Sequence, residues 1–340
     1  MKLSVIAFTS RGLRLAERLP GLLSADGIQV KLCACFGGTS VSAAEWTKQA
    51  FSESDALLYI GAAGIAVRCA APFLRSKLTD PAVLVMDEGG RFCISLLSGH
   101  AGGANRLAER IASLCGATPV VTTATDGRGL FAVDEWAARF GCALLPKDAI
   151  RLVSGALLEG KPVGFLSDFL IAGELPKGFV SSPPEGSPCV HVTCSAGDGD
   201  PQCLRVVPRA SILGIGCRRG ISEQAIAAAV DEFLALHRWE RASIREICSI
   251  DLKQDEEGLL AFCRSLGVPA RFFPADTLAQ MQGDFSSSDF VSSVTGVGNV
   301  CERAAVCGGG TLALPKFVRE GVTVALALAP VELSFTDWRE

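Results

Sequence analysis

The spacing of apolar and polar positions over the first 130 residues predicts alternating strands and helices. Positions 3–9 alternate as a strand does, and 12–23 carry helical spacing that ends near Pro20-Gly21. Positions 28–35 predict a second strand. A helix from about 42 to 52 follows, with Ser42 as N-cap and Glu45 at the capping-box position. The wholly apolar run 56–60 predicts a buried strand leading into Gly61-Ala62-Ala63-Gly64 and a short helix that carries Arg68. Further strands are expected at 81–86 and 92–97, joined by the turn Asp87-Glu88-Gly89-Gly90. An amphipathic helix over 104–115 precedes a strand at 118–122 that ends at Thr125-Asp126-Gly127. Repeated strand–loop–helix order predicts a mostly parallel sheet covered on both faces.

From 133 to about 207 the pattern weakens. Helices are expected over 134–140 and 148–159 and a strand over 163–166, while 181–201 has the Ser, Pro, Gly and Asp content of a linker or exposed loop. A second α/β unit starts at Ser211. It has strands at 211–215, 246–251, 270–273 and 322–329, and helices at 222–236, 256–266 and 300–307. The expected fold class is therefore α/β: two α/β units with mostly parallel sheets, joined by a small middle segment and a flexible linker. The expected domains are 1–130, 131–207 and 208–334.

Composition narrows the function classes. Of 340 residues, 49% are hydrophobic and 20% charged, which excludes a disordered chain. No apolar run reaches the roughly 18 residues needed to span a bilayer, and the first residues lack a signal peptide's long apolar segment, so a cytoplasmic protein with no membrane partner is expected. A net charge of −4 and a single tyrosine argue against nucleic acid as a partner. Fourteen cysteines without a CxxC pair read as reduced, buried small hydrophobes, so no metal site is expected.

Candidate chemistry concentrates at 85–105, where one of only three histidines sits in Ser98-Gly99-His100 and a glycine pair opens the next helix. The Gly61–Gly64 loop, Glu88, the Ser98–Gly103 loop and Asp126 each follow a strand. Ligands of open α/β sheets bind beyond strand carboxyl ends, so these loops are expected to converge. His100 suits a general base or acid, against the competing readings of a structural histidine or a helix-capping role. In the second unit, Gly214 and Gly216 imitate a dinucleotide loop, but Gly220 falls one place too late. The alternatives are a loop whose amides, with Arg218 and Arg219, meet an anionic group, or a plain βα turn. Lys253 and Glu256 have the spacing of an ordinary ion pair.

Several blocks together resemble a known family. IGAAGIAVRCAAPFL, VMDEGGRFCISLLSGHAGGANRLAERIA and TTATDGRG are similar to the N-terminal module of the cobalt-precorrin-5A hydrolase family of anaerobic cobalamin biosynthesis. LGIGCRRGIS, SIDLKQDEEGLLAFC and VTGVGNVCERAAV are similar to its C-terminal module. The resemblance implies opening of the ring-A acetate δ-lactone of cobalt-precorrin-5A, with release of acetaldehyde to give cobalt-precorrin-5B. No cofactor is implied, since cobalt is carried by the tetrapyrrole substrate.

On this basis the expected catalytic residues are His100 or Glu88 as base, with Asp126 orienting His100 and the amides around 99–103 as oxyanion cradle. Expected substrate contacts in the first unit are Gly61, Gly64, Arg68, Ser98, Gly99, Gly102, Gly103 and Asn105. In the second they are Gly214, Gly216, Arg218, Arg219, Lys253, Gly296, Gly298, Asn299 and Glu302. A homodimer and transient contact with other enzymes of the pathway are the further partners considered. The alternative function is a non-catalytic tetrapyrrole carrier or scaffold, which would release no acetaldehyde.

Overall fold

Strand β1 (Lys2–Ala7) is buried from Leu3 onward and lies inside a six-stranded sheet. The structure is a computed structural model that describes residues 1–38, 41–76, 79–100, 102–122, 129–197, 199–286 and 298–336. With β2 (Gln29–Ala34), β3 (Ala56–Ile60), β4 (Ala82–Met86), β5 (Phe92–Leu97) and β6 (Thr118–Val120), the order is β2-β1-β3-β4-β5-β6. Strands β1 to β4 are parallel, β5 runs antiparallel to β4, and β6 runs parallel to β5.

Strands β3 and β4 are buried at every position, as a sheet covered on both faces requires. Alternation divides their side chains between two cores. Ala56, Leu58 and Ile60 pack with the helices Ser10–Ala16, Leu19–Leu23 and Ala104–Cys115, whereas Leu57 and Tyr59 pack with Trp46, Ala50 and Ala66 of the helices Ala43–Glu53 and Ala63–Ala70. The expected capping box of Ser42 and Glu45 is formed.

The middle of the chain builds a sheet of its own. Its strands are β7 (Ala143–Leu145), β8 (Val163–Ser167), β10 (Phe179–Val180), β11 (Cys189–Val192) and β12 (Cys203–Val207), in the order β10-β8-β11-β12-β7; β9 (Ile171–Ala172) lies outside it. This corrects the linker expected at 181–201. That stretch contains β11, paired in parallel with both β8 and β12. Its four residues alternate, with Val190 and Val192 buried, but the Pro and Gly turns on either side dominate the composition.

The last sheet has the order β15-β14-β13-β17-β16, built from β13 (Ser211–Cys217), β14 (Ile244–Ile250), β15 (Ala270–Phe273), β16 (Thr311–Arg319) and β17 (Val322–Leu328). Strands β13 to β15 are parallel, and β17 and β16 complete the sheet as an antiparallel hairpin. The helices Glu223–Leu236 and Glu257–Leu266 cover one face, and Val300–Cys307 covers the other. A terminal strand, β18 (Leu333–Ser334), pairs with β9. The chain divides into two compact units, Met1–Trp136 and Ala137–Glu340, and the second holds both the middle and the C-terminal sheets.

Candidate functional site

The mixed sheet of the first unit overturns the expected convergence of its loops. Gly61, Gly64 and Glu88 follow β3 and β4 at one edge. Because β5 runs against β4, Ser98, Gly99 and His100 emerge at the opposite edge, and β6, parallel to β5, points the same way. Asp126 itself lies outside the described residues.

At the first edge Asp87 knits the turn. Its Oδ1 accepts from the amides of Phe92 at 2.7 Å and Arg91 at 2.8 Å, and its Oδ2 from the amide of Gly89 at 3.2 Å. Partial burial pushes this carboxyl up, but the Phe92 and Arg91 amides and the Arg91 guanidinium outweigh it and hold it below the usual range. Glu88 stays exposed and accepts the Thr9 hydroxyl at 2.7 Å. Gly61 sits where a β-carbon would come within 2.7 Å of the Phe8 ring, Gly64 faces open space, and Arg68 is exposed in the last helical turn.

At the second edge the chain coils tightly. Ser98 takes φ 56°, and a β-carbon on Gly102 would stand 2.4 Å from that of Ser98. The amides of Gly103, Ala104 and Asn105 donate to the carbonyls of His100, Ser98 and Gly99 at 2.8, 3.1 and 3.0 Å. These bonds consume the Gly103 amide, so it is not available to the expected oxyanion cradle. Asn105 is a structural tie: it is buried, its Oδ1 accepts the Ser95 hydroxyl at 2.6 Å, and that oxygen occupies the space beside Gly99.

The loop presents His100 to Asp134, with Nδ1 3.6 Å from Oδ2 and side-chain exposures of only 16% and 7%. Asp134 lies in the first turn of the helix Val133–Arg139, and its neighbour Glu135 pairs with Arg106 at 3.2 Å. A carboxylate at that distance favours the imidazolium that a general base becomes.

In the second unit, the carboxyl ends of β13 and β14 open onto a cleft of about 480 Å³. Gly216, Arg218, Arg219, Lys253 and Asn299 line it, and so does Lys316 of β16. Ile250, Leu252 and Val300 add apolar lining. Lys253 pairs with Glu256 at 3.3 Å, and Glu256 accepts the Gly220 amide at 2.7 Å. Arg218 Nη2 donates to the Glu320 carbonyl at 2.9 Å, and its guanidinium lies over Gly321. Asn299 caps the helix Val300–Cys307 by accepting the Glu302 amide at 2.9 Å. The thiols of Cys217 and Cys301 are each pushed up to about 11, by burial above all, and stay protonated at neutral pH.

Other expected contacts have structural work instead. A β-carbon on Gly214 would stand 1.8 Å from the Cys301 carbonyl oxygen, so this glycine lets the helix Val300–Cys307 cross β13. Glu302, in the first turn of that helix, is buried. Gly298 precedes the cap, and Gly296 lies outside the described residues. Asp134 and Lys316 carried no signal as site residues. The first reads as an ordinary first-turn acid, and the second follows Pro315 in a stretch without strand expectation. Among the described residues no group of three or more His, Cys, Asp or Glu is placed to hold a metal ion, and no helix is long and apolar enough to cross a membrane.

Fold and site define an α/β protein whose cleft carries Arg218, Arg219, Lys253 and Lys316 beside apolar side chains, a lining that suits an anionic ligand. Residues 45–126 match the family described as cobalamin synthesis G N-terminal, 131–207 the cobalamin biosynthesis central region, and 211–327 the cobalamin synthesis G C-terminus. The chain belongs to this cobalamin synthesis G family. It is 32% identical over 345 residues to the cobalt-precorrin-5A hydrolase of Salmonella typhimurium, covering 96% of this chain and 97% of that protein. It is 31% identical over 305 residues to the enzyme of the same name from Priestia megaterium, covering 83% and 80%. A solved cobalamin biosynthesis protein G homologue from Sulfolobus solfataricus is 18% identical, covers 96% of this chain and 97% of its own, and has a TM-score of 0.44.

Proposed function

We propose that this chain is a cobalt-precorrin-5A hydrolase, which opens the ring-A acetate δ-lactone of cobalt-precorrin-5A and releases acetaldehyde to give cobalt-precorrin-5B. The observation that carries this is identity of 31–32% with two proteins of that name over most of the chain. The cleft supports it: a polycarboxylated macrocycle needs focused cations and an apolar surface, and Arg218, Arg219 and Lys253 line the cleft together with Ile250, Leu252 and Val300. Cobalt is part of the substrate, and no resident cofactor is required.

In this reading His100 takes a proton from water as the water oxygen bonds to the lactone carbonyl carbon. Asp134 favours the resulting imidazolium. The acyl carbon–oxygen bond then breaks, and the proton passes to the departing oxygen. The hydroxyl so formed gives its proton back to His100 as the adjacent carbon–carbon bond breaks. Its carbon leaves as acetaldehyde, and the bond's electrons return to the macrocycle. Glu88 opens to the other edge of the sheet and is the weaker candidate for this base. The protein would work in the cytosol on a diffusing substrate; a homodimer and transient contact with neighbouring enzymes of the pathway accord with this and are checked by light scattering.

The test is incubation of the purified chain with cobalt-precorrin-5A, with acetaldehyde followed through alcohol dehydrogenase and NADH. One acetaldehyde per macrocycle consumed is expected. Tight binding without acetaldehyde would replace the hydrolase with a carrier.

A further inference from the structure

Lys316 sits where β16 departs from its partner. Pairing with β17 slips between Leu312 and Leu314 and again between Leu314 and Phe317, each time with one extra residue on β16. Bulges of this kind re-aim a side chain that regular alternation would place elsewhere. The Lys316 amide donates to Glu302 Oε1 at 2.7 Å.

Glu302 is 1% exposed. Its carboxylate also accepts from the Ser286 amide and from Asn299 Nδ2, both at 2.8 Å, and from the Ser286 hydroxyl at 3.3 Å. A buried carboxylate held by four donors resists displacement, because moving it strands partners out of reach of water. One side chain therefore fixes both the bulge that carries Lys316 and the Asn299 cap on the cleft wall.

The cations of the cleft are not equivalent. Lys253 is paired with Glu256, Arg219 reaches Asp255 at 3.8 Å, and Arg218 is bonded to the Glu320 carbonyl. Among the described residues Lys316 has no ion pair, although it is half-buried and its charge is felt by the Cys301 thiol in the cleft. A half-shielded ammonium without a counter-ion is set to receive one from a ligand.

We propose that Lys316 is a specificity-determining residue of this cleft: its ammonium binds a carboxylate on the rim of the tetrapyrrole, and Glu302 is the positioning residue that holds it there. The inference rests on the hydrolase reading and names one contact of the substrate.

Steady-state acetaldehyde release by full-length K316A, K316R and E302Q tests it. K316A should raise KM about tenfold or more with kcat within about twofold, and K316R should recover most of the loss. E302Q should raise KM in the same sense, and the double variant K316A/E302Q should be no worse than K316A alone. A wild-type KM for K316A, with melting temperature unchanged, overturns the Lys316 assignment. Additive effects in the double variant overturn the role of Glu302. If the wild-type chain releases no acetaldehyde, the hydrolase reading fails by itself. Absorbance titration with cobalt-precorrin-5A then decides the contact: weaker binding by K316A supports it, and equal binding removes it.

Discussion

Leu97 of β5 pairs with Val83 of β4, while Cys93, at the start of the same strand, pairs with Met86. The register is antiparallel, so β5 delivers His100 to the edge of the sheet from which β4 begins. Glu88 follows Met86 at the other edge. From Val83 to Met86 is three residue steps, about 10 Å at a rise of about 3.3 Å per residue. At least that length separates the two loops, and one site of hydrogen-bonding dimensions does not hold both side chains.

This separation makes the two carboxyl-end loops independent in mutation. His100→Ala should lower kcat for acetaldehyde release by about 10²–10⁴-fold, the usual contribution of a general base. Glu88→Gln should leave kcat within about threefold, because Glu88 is exposed and the glutamine amide oxygen still accepts the Thr9 hydroxyl. Comparable losses in both variants would sink His100 as the base.

Gly321 should matter to binding through Arg218. It takes φ 85° after Glu320 at φ 44°, and a β-carbon there would stand 2.0 Å from Arg218 Nε. Gly321→Ala must therefore both strain the turn and push the guanidinium aside. The expected outcome is a loss of about 1 kcal/mol in stability, with a KM for cobalt-precorrin-5A raised about fivefold. Urea unfolding and steady-state kinetics measure the two effects; an unchanged KM would show that Arg218 does not touch substrate.

Buried thiols should set an alkaline limit on stability. Cys93 and Cys248 are pushed from the ordinary 9.0 up to about 12, by burial first. Their folded-state pKa lies above the unfolded one. The stabilisation is therefore complete below about pH 9 and is lost as pH rises towards 12, where the unfolded chain sheds protons that the folded one keeps. Each thiol should remove up to about 1.4 kcal/mol per pH unit in that window. Urea midpoints at pH 8 and pH 10.5 check the sign. At pH 8 a disulfide-exchange reagent should leave both thiols unmodified in the native protein and titrate them after denaturation.

Elements with a local period or an unbroken apolar run were legible without the structure. The strands Ala56–Ile60, Phe92–Leu97 and Ala270–Phe273 and the helices Ala104–Cys115 and Val300–Cys307 fall where their spacing predicts. Strand β11 was hidden because four alternating residues between Pro-rich turns are too few to outweigh composition. Strand β16 was hidden because Pro315 and two bulges break its alternation, which an edge strand tolerates. In the candidate cleft, Arg218, Arg219 and Lys253 were legible because each follows the carboxyl end of a parallel strand, where ligands of such sheets bind.

The sequence by itself determined the α/β class, the positions of most strands and helices, the family blocks, and the isolation of His100 in a glycine-flanked loop. Those properties depend on neighbours within a few residues. Only the tertiary structure decided that β5 turns back along β4, that Asp134 rather than a nearer residue faces His100 among the described residues, and that Glu302 holds Lys316 at the cleft. Strand direction and register arise from pairing between distant segments. A side chain's partners follow from that pairing, and no local period encodes it.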